Sequence, residues 1–528
     1  MKTFQPLACI IIVISLAACN IPGQTVGTGE EITDRAAAFD APAGVGSQAV
    51  TEASVTAVSS SVIATPAPRV LNVDDYGANP YDDQPDSRSI QAALNDLKSG
   101  ETLQFSSEGG EEGYQGYLIN ETLFIIWETA KHDITLTSTD PDSPALLLAT
   151  EELLGFVIRL FSRMKWYHSP GLIDNITLQY LVIDAGRDIR ICAGDDGIPN
   201  GIDDNWGSWV TGECPVEDDG WCNAGGISLT GAVDFNDYSQ DFQSHPSQWS
   251  TGIRVDSVVI KNVECGTGIG ISGAESSVTN STIDTAGEHT HVDWCSATDP
   301  DGELAFWSDG ITFDGTNMVI ENNAIINASD VAIVFFGGRN ARIVGNSITS
   351  TDGNYGAFAG IQVGPVGFGD ISGLEVSGNT VISTSDKSCG GLHTGINIGQ
   401  NMWSTGCVWE AGPGTVGNAK SCVGKPNPPD GSHCVVGEIC QIWGYVPAGE
   451  TIYLTDNFVR GAHINYLVQG IEVLGSFEIS GNISEAPQES DWQAAAYGCY
   501  GATWGPMDFV AADPPIEGWT EKRIHCER

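Results

Sequence analysis

Five short segments decide how this chain folds: Gly268-Ile269-Gly270-Ile271, Gly310-Ile311-Thr312-Phe313, Ala332-Ile333-Val334-Phe335, Gly360-Ile361-Gln362-Val363 and Gly395-Ile396-Asn397-Ile398. Each sets large apolar residues at every second position, the period of a strand with one buried face. Interleaved with them are Asn-led segments: Asn280-Ser281-Thr282-Ile283, Asn323-Ala324-Ile325-Ile326, Asn346-Ser347-Ile348 and Asn379-Thr380-Val381-Ile382, then Asn457-Phe458-Val459 and Asn482-Ile483. Successive Asn stand 43, 23, 33, 78 and 25 residues apart. A base period of about 23 to 25 residues, with loops inserted into the longer intervals, is the pattern of a strand solenoid whose turns stack on one another.

The bulk numbers agree with an all-β chain. Its 528 residues include 64 Gly, and few stretches carry helical periodicity. Acidic residues number 68 against 22 basic ones, a formal net charge of −46. Phosphate recognition needs a basic footprint, so nucleic acid is excluded as a partner. The acidic surface serves solubility first. It also opposes a polyanionic ligand unless a metal or a local cation intervenes.

Residues 1–18 read as a targeting segment: Lys2 supplies a positive end, and Leu7 to Leu16 is an apolar run too short to span a bilayer. The run ends Leu16-Ala17-Ala18-Cys19, which resembles the bacterial lipobox. That resemblance implies acylation of Cys19 and, with Asn20 following it, an anchor at the outer membrane or cell surface. Residues 19–69 are rich in Ala, Thr, Ser, Val, Gly and Pro and are expected to form a disordered tether. The folded body is expected over 70–528 as a monomer.

That body opens with a strand at Val70-Leu71-Asn72-Val73 and an acidic loop. An amphipathic helix from Asp86 to Gly100 follows, with Ile90, Ala93, Leu94 and Leu97 on one face, Asp86 or Ser87 as N-cap and Gly100 as stop. A strand at Leu103-Gln104-Phe105 and a Gly-rich hairpin to Tyr117-Leu118-Ile119 are expected next. Asp75-Tyr76-Gly77-Ala78, Asp82-Asp83, Ile90-Gln91-Ala92-Ala93-Leu94 and Gly100 to Phe105 together resemble the opening of the pectate-lyase/rhamnogalacturonase superfamily. The resemblance implies a right-handed parallel β-helix with the helix capping its first coil, Asn side chains stacked from coil to coil, and carbohydrate as the substrate class. The chain departs from the family's hydrolases, whose Asn-x-Asp, Asp-Asp, Gly-His-Gly and Arg-x-Lys set it lacks. It also lacks the pectate-lyase calcium-site and catalytic-arginine motifs.

Three insertions interrupt the repeat, at about 187–250, 285–307 and 400–450 by the strand pattern. In the first, Asp195, Asp196, Asp203 and Asp204 alternate with Gly and Pro turns. Such oxygen ligands suit Ca²⁺, or form a solvated acidic loop. Twelve Cys follow Cys19, most of them in or beside insertions or in the C-terminal tail. In an exported chain they are expected to form disulfides that pin the loops, with open connectivity. The insertions at 285–307 and 400–450 are expected to leave the solenoid at comparable points and wall a groove.

Side-chain parity then selects candidates. With Ile311, Phe313 and their equivalents inward, the outward column is Gly270, Thr312, Val334, Gln362 and Asn397. Extending the strands backward puts Asp330 and His393 outward and Asp309 inward. Asp309 and Asp330 fall on consecutive coils, about 5 Å apart, close enough to divide into acid and base or nucleophile. Two chemistries stay open. A hydrolase would use Asp330 and Asp309; a lyase would use His289 or His393 as base, with Arg339 or Ca²⁺ on the substrate carboxylate. Trp294, Trp307 and Trp403 are candidate sugar platforms beside Gln362 and Asn397. The non-catalytic alternative is a β-helical adhesin or glycan-binding surface lipoprotein.

Overall fold

In the computed structural model, residues 68–485 and 509–513 are described, apart from 108–112, 127–130, 154, 162–173, 187–224, 231–249, 264–265, 288–307, 352–355, 365–368, 385–390, 400–443, 463 and 474. Each coil contributes one strand in turn to three sheets, of 12, 11 and 10 strands. The strand Gly266–Ala274 lies in the twelve-stranded sheet, Ser277–Thr279 in the eleven-stranded one and Thr282–Ala286 in the ten-stranded one, before the chain re-enters the first at Ser308–Thr316. Every ladder is parallel, as in Ile269↔Ile311, Val278↔Ile320 and Ile283↔Ile325. This is a parallel β-helix, right-handed as parallel crossovers are. The Ile, Val, Leu and Phe columns of the three sheets meet in one core, with Phe313 and Phe335 stacked at 4.7 Å between ring centroids.

The turn between the second and third sheets explains the Asn repeat. It pairs a left-handed residue with a ladder residue: Asn322 (φ 57°) before Asn323, Gly345 (66°) before Asn346, Gly378 (62°) before Asn379, Asp456 (55°) before Asn457 and Gly481 (69°) before Asn482. Gly, Asn and Asp are the residues that tolerate this conformation. The ladder residue's Oδ1 accepts the preceding coil's backbone N–H, as in Asn323 N to Asn346 Oδ1 at 3.0 Å and Asn346 N to Asn379 Oδ1 at 2.9 Å. Its Nδ2 donates along the axis to the next Asn, at 3.0 Å for Asn346 to Asn379. One reading shifts here. Asn280 is the left-handed residue (φ 52°), and Ser281 holds the ladder position, its N–H donating to Asn323 Oδ1 at 2.9 Å.

At the N-terminus the helix spans Ser87–Asp96, and Ile90, Ala93, Leu94 and Leu97 join the core. Neither expected cap bonds the helix's own first turn. Asp86 instead accepts from Asn79 N and Leu118 N, and Ser87 Oγ accepts from Asn120 N and Glu121 N. These bonds tie the helix to the first coil. The helix ends at Leu97, ahead of Gly100. The expected hairpin is absent, because Thr102–Phe105 belongs to the eleven-stranded sheet and Tyr117–Ile119 to the ten-stranded one.

The insertions leave at two kinds of place. Residues 287–307 lie between a strand of the ten-stranded sheet, Thr282–Ala286, and one of the twelve-stranded sheet, whereas residues 400–443 lie between two strands of the twelve-stranded sheet, Gly391–Gly399 and Gly444–Val446. The two insertions therefore do not leave the solenoid at comparable points. The chain also leaves before the sheet's strand Ile227–Thr230 and after it.

Candidate active site

The outer face of the twelve-stranded sheet follows the expected register: Gly270↔Thr312, Thr312↔Val334, Val334↔Gln362 and Gln362↔Asn397. Val334, Gln362 and Asn397 are fully buried even though they point away from the core. Val331, Val334 and Ala359 are likewise buried, yet none belongs to the core cluster that takes in Ala332, Ile333 and Ile361.

Parity does not run unbroken along these strands. The ladder Thr267↔Asp309 resumes only at Ile269↔Ile311, and Val331↔Ala359 only at Ile333↔Ile361. A Cβ on Gly310 would meet Ile325 Cγ2 at 2.7 Å and Ala332 O at 2.5 Å, so its vacant position faces the interior, as does that of the inward Ile311 beside it. Gly268, Gly360 and Gly395 repeat the arrangement against Ile283, Val381 and Val459. Two consecutive inward positions reverse the alternation upstream. Asp309 consequently lies outward with Thr312, which corrects the inward placement expected from simple alternation.

The bonds of Asp309 agree. Thr312 Oγ1 donates to its Oδ2 at 2.7 Å, and Thr267 Oγ1 lies 3.2 Å from Thr312 Oγ1. Val331 N donates to its Oδ1 at 3.2 Å. Asp309 keeps some solvent contact, but protein atoms crowd its carboxyl. Burial first, and the neighbouring charge of Asp330 second, raise its pKa well above the ordinary carboxylate value; the Thr312 and Val331 bonds act against the rise. Asp330 starts the next coil, its backbone N–H donating to Ser308 O at 3.0 Å. Two carboxylates thus converge at the upstream edge of the sheet, beside the point where residues 287–307 rejoin it.

Arg339 is not part of that convergence. It follows the strand Val331–Phe335 at its far end and is paired with buried Asp370, which also accepts from Ser372 N at 2.9 Å. His393 lies in the strand Gly391–Gly399, where its neighbour Thr394 pairs with Ala359, the partner of Val331. His289, Trp294, Trp307, Trp403, Asp195, Asp196, Asp203, Asp204, Cys19 and the twelve later Cys lie outside the described residues. Among the described residues no group of three or more His, Cys, Asp or Glu is placed to hold a metal ion.

Residues that sequence reasoning did not single out are Thr267, the partner of the Thr312 hydroxyl, and Asp314. Asp314 is on the same outer face as Thr312, buried, and accepts from Ser272 Oγ at 2.5 Å. Burial pushes its carboxyl up to about 7, against the lowering effect of Ser272. A glycine recurring directly before the inward Ile was the signal for the slip that exposes Asp309.

No protein-family model matches the chain, and no curated protein does. Solved structures with similar coordinates include the family 28 exopolygalacturonase of Yersinia enterocolitica, at 12% identity over 80% of this chain and 68% of that one, TM-score 0.42. The surface adhesin PfbA of Streptococcus pneumoniae aligns at 14% identity over 78% and 91% of the chains, TM-score 0.36. The A-module of the mannuronan C-5 epimerase AlgE4 of Azotobacter vinelandii aligns at 10% identity over 83% and 99%, TM-score 0.33.

Proposed function

We propose that this protein cleaves glycosidic bonds in a polysaccharide, with Asp309 as the proton-holding acid and Asp330 as the carboxylate working with it. One observation carries the reading: two carboxyls of neighbouring coils come together at the upstream edge of the sheet, and burial and the other's charge raise the pKa of Asp309 above the ordinary carboxylate value. Glycoside hydrolysis uses this division. The acid protonates the leaving oxygen, while the carboxylate activates water or attacks the sugar carbon itself.

The eliminative route has less support, because the cation meant for a substrate carboxylate, Arg339, is engaged by Asp370 at the other end of its strand. A purely glycan-binding surface protein would not need two convergent carboxyls, one of them with a raised pKa. Anchoring belongs to the same proposal: acylated Cys19 would hold the β-helix at a membrane surface through residues 19–69.

The test is a panel of polysaccharides read twice, by reducing ends and by absorbance of unsaturated products. We expect reducing ends without absorbing products. Asp309→Asn and Asp330→Asn should each slow cleavage by about 10²- to 10⁴-fold. Binding without cleavage of any glycan, or full activity in both variants, removes the enzymatic reading.

A further inference from the structure

Two coils beyond Thr312, the same outer column holds a pair of carboxamides. Asn397 Nδ2 donates to Gln362 Oε1 at 2.6 Å, and both side chains are fully buried. Because Gln362 must turn its oxygen toward this donor, its NH₂ faces elsewhere, and there Nε2 has no hydrogen-bond partner. A buried donor without a partner is uncommon in native structures, and a water or a ligand completes many of them. The pair lies outside the hydrophobic core, in register with Thr312, which holds Asp309. At about 4.8 Å per coil, Gln362 is roughly 10 Å along the axis from Thr312.

The surroundings restrict what the NH₂ can donate to. Gly270, Thr312, Val334, Gln362 and Asn397 carry no charge, and the cation on this column, Arg159, is five coils from Gln362, about 24 Å away. A carboxylate brought here would be desolvated with only neutral donors to receive it, on a protein of net charge −46. A hydroxyl or ring oxygen of an uncharged sugar meets the same donor without that cost.

We propose that Gln362, supported by Asn397, is a substrate-binding subsite for a neutral sugar unit. The inference rests on the proposed polysaccharide-cleaving site and specifies its substrate as uncharged at this position. Binding is measured separately from cleavage, by titrating the Asp330→Asn protein with neutral hexasaccharides (cello-, xylo- and mannohexaose) and with uronic ones (hexagalacturonate and hexamannuronate).

We expect a neutral hexasaccharide to bind and the uronic ones to bind at least about tenfold more weakly. Adding Gln362→Leu should weaken the neutral sugar by about tenfold; it also removes the acceptor of Asn397 Nδ2, so binding is compared at a temperature where its melting curve shows it folded. Gln362→Met serves as a second probe if Leu does not fold. Equal neutral-sugar affinity with and without Gln362, tighter uronic binding, or no binding of any probe overturns the subsite. Cleavage of neutral glycans that is independent of Gln362 leaves the catalytic reading standing alone. Gln362-dependent binding without cleavage by the wild type leaves the subsite standing alone.

Discussion

At Asp309 opposing influences meet. Burial and Asp330 favour its neutral form, while the Thr312 hydroxyl and the Val331 N–H favour the charged one. Replacing Thr312 by Val removes a bond to the ionised carboxyl, so the Asp309 pKa rises further. If Asp309 is the acid, the alkaline limb of the kcat/KM profile should move to higher pH in Thr312→Val and return in Thr312→Ser. A limb that stays in place separates Thr312 from the acid. Asp314 supplies a test in stability. Its carboxyl titrates at about 7 in the fold, against about 3.9 in an unfolded chain. Between those values the folded state holds a proton that the unfolded state has released, so stability falls as pH rises through the window. The span corresponds to about 4 kcal/mol. Urea melts of Asp314→Asn should show a flatter decline between about pH 4 and pH 7; an unchanged slope would clear Asp314 as its cause.

At the scale of the element, the Asn turn and the glycine kink do different work. Asn379 accepts from Asn346 N and Nδ2 at 2.9 and 3.0 Å and donates to Ile343 O and Asn457 Oδ1 at 2.8 and 2.9 Å, all in a buried position. Asn379→Ala strands several of these groups and should cost about 3 kcal/mol in urea unfolding. Asn280 is exposed and left-handed, so Asn280→Gly should stay within about 0.5 kcal/mol. Equal costs would contradict the division into turn residue and ladder residue. The repeat was legible because each coil asks for the same turn chemistry and the same apolar alternation. The placement of Asp309 was not, because alternation is a local rule, and a break in it at Gly310 arises only where neighbouring coils and the facing sheet leave no room for a Cβ.

For the whole molecule, the solenoid gathers chemistry on one face. Described strands from residue 123 to residue 513 add to the twelve-stranded sheet. Delivery of that face to a surface is a separate proposal, which rests on acylation of Cys19. Expressed in a bacterial host, the wild type should partition with membranes and incorporate labelled palmitate, and Cys19→Ser should do neither; a soluble, unlabelled wild type removes the anchor.

The sequence by itself determined the β-helix, because period-two burial and left-handed turn residues recur coil after coil and are local properties of the chain. It also determined that two aspartates begin consecutive coils. Only the tertiary structure decided that Asp309 faces outward, that Arg339 is already engaged by Asp370, and that Gln362 carries an unmet donor. Each of these depends on the packing of one coil against the next, where sterics, desolvation and pairing are set by residues distant along the chain.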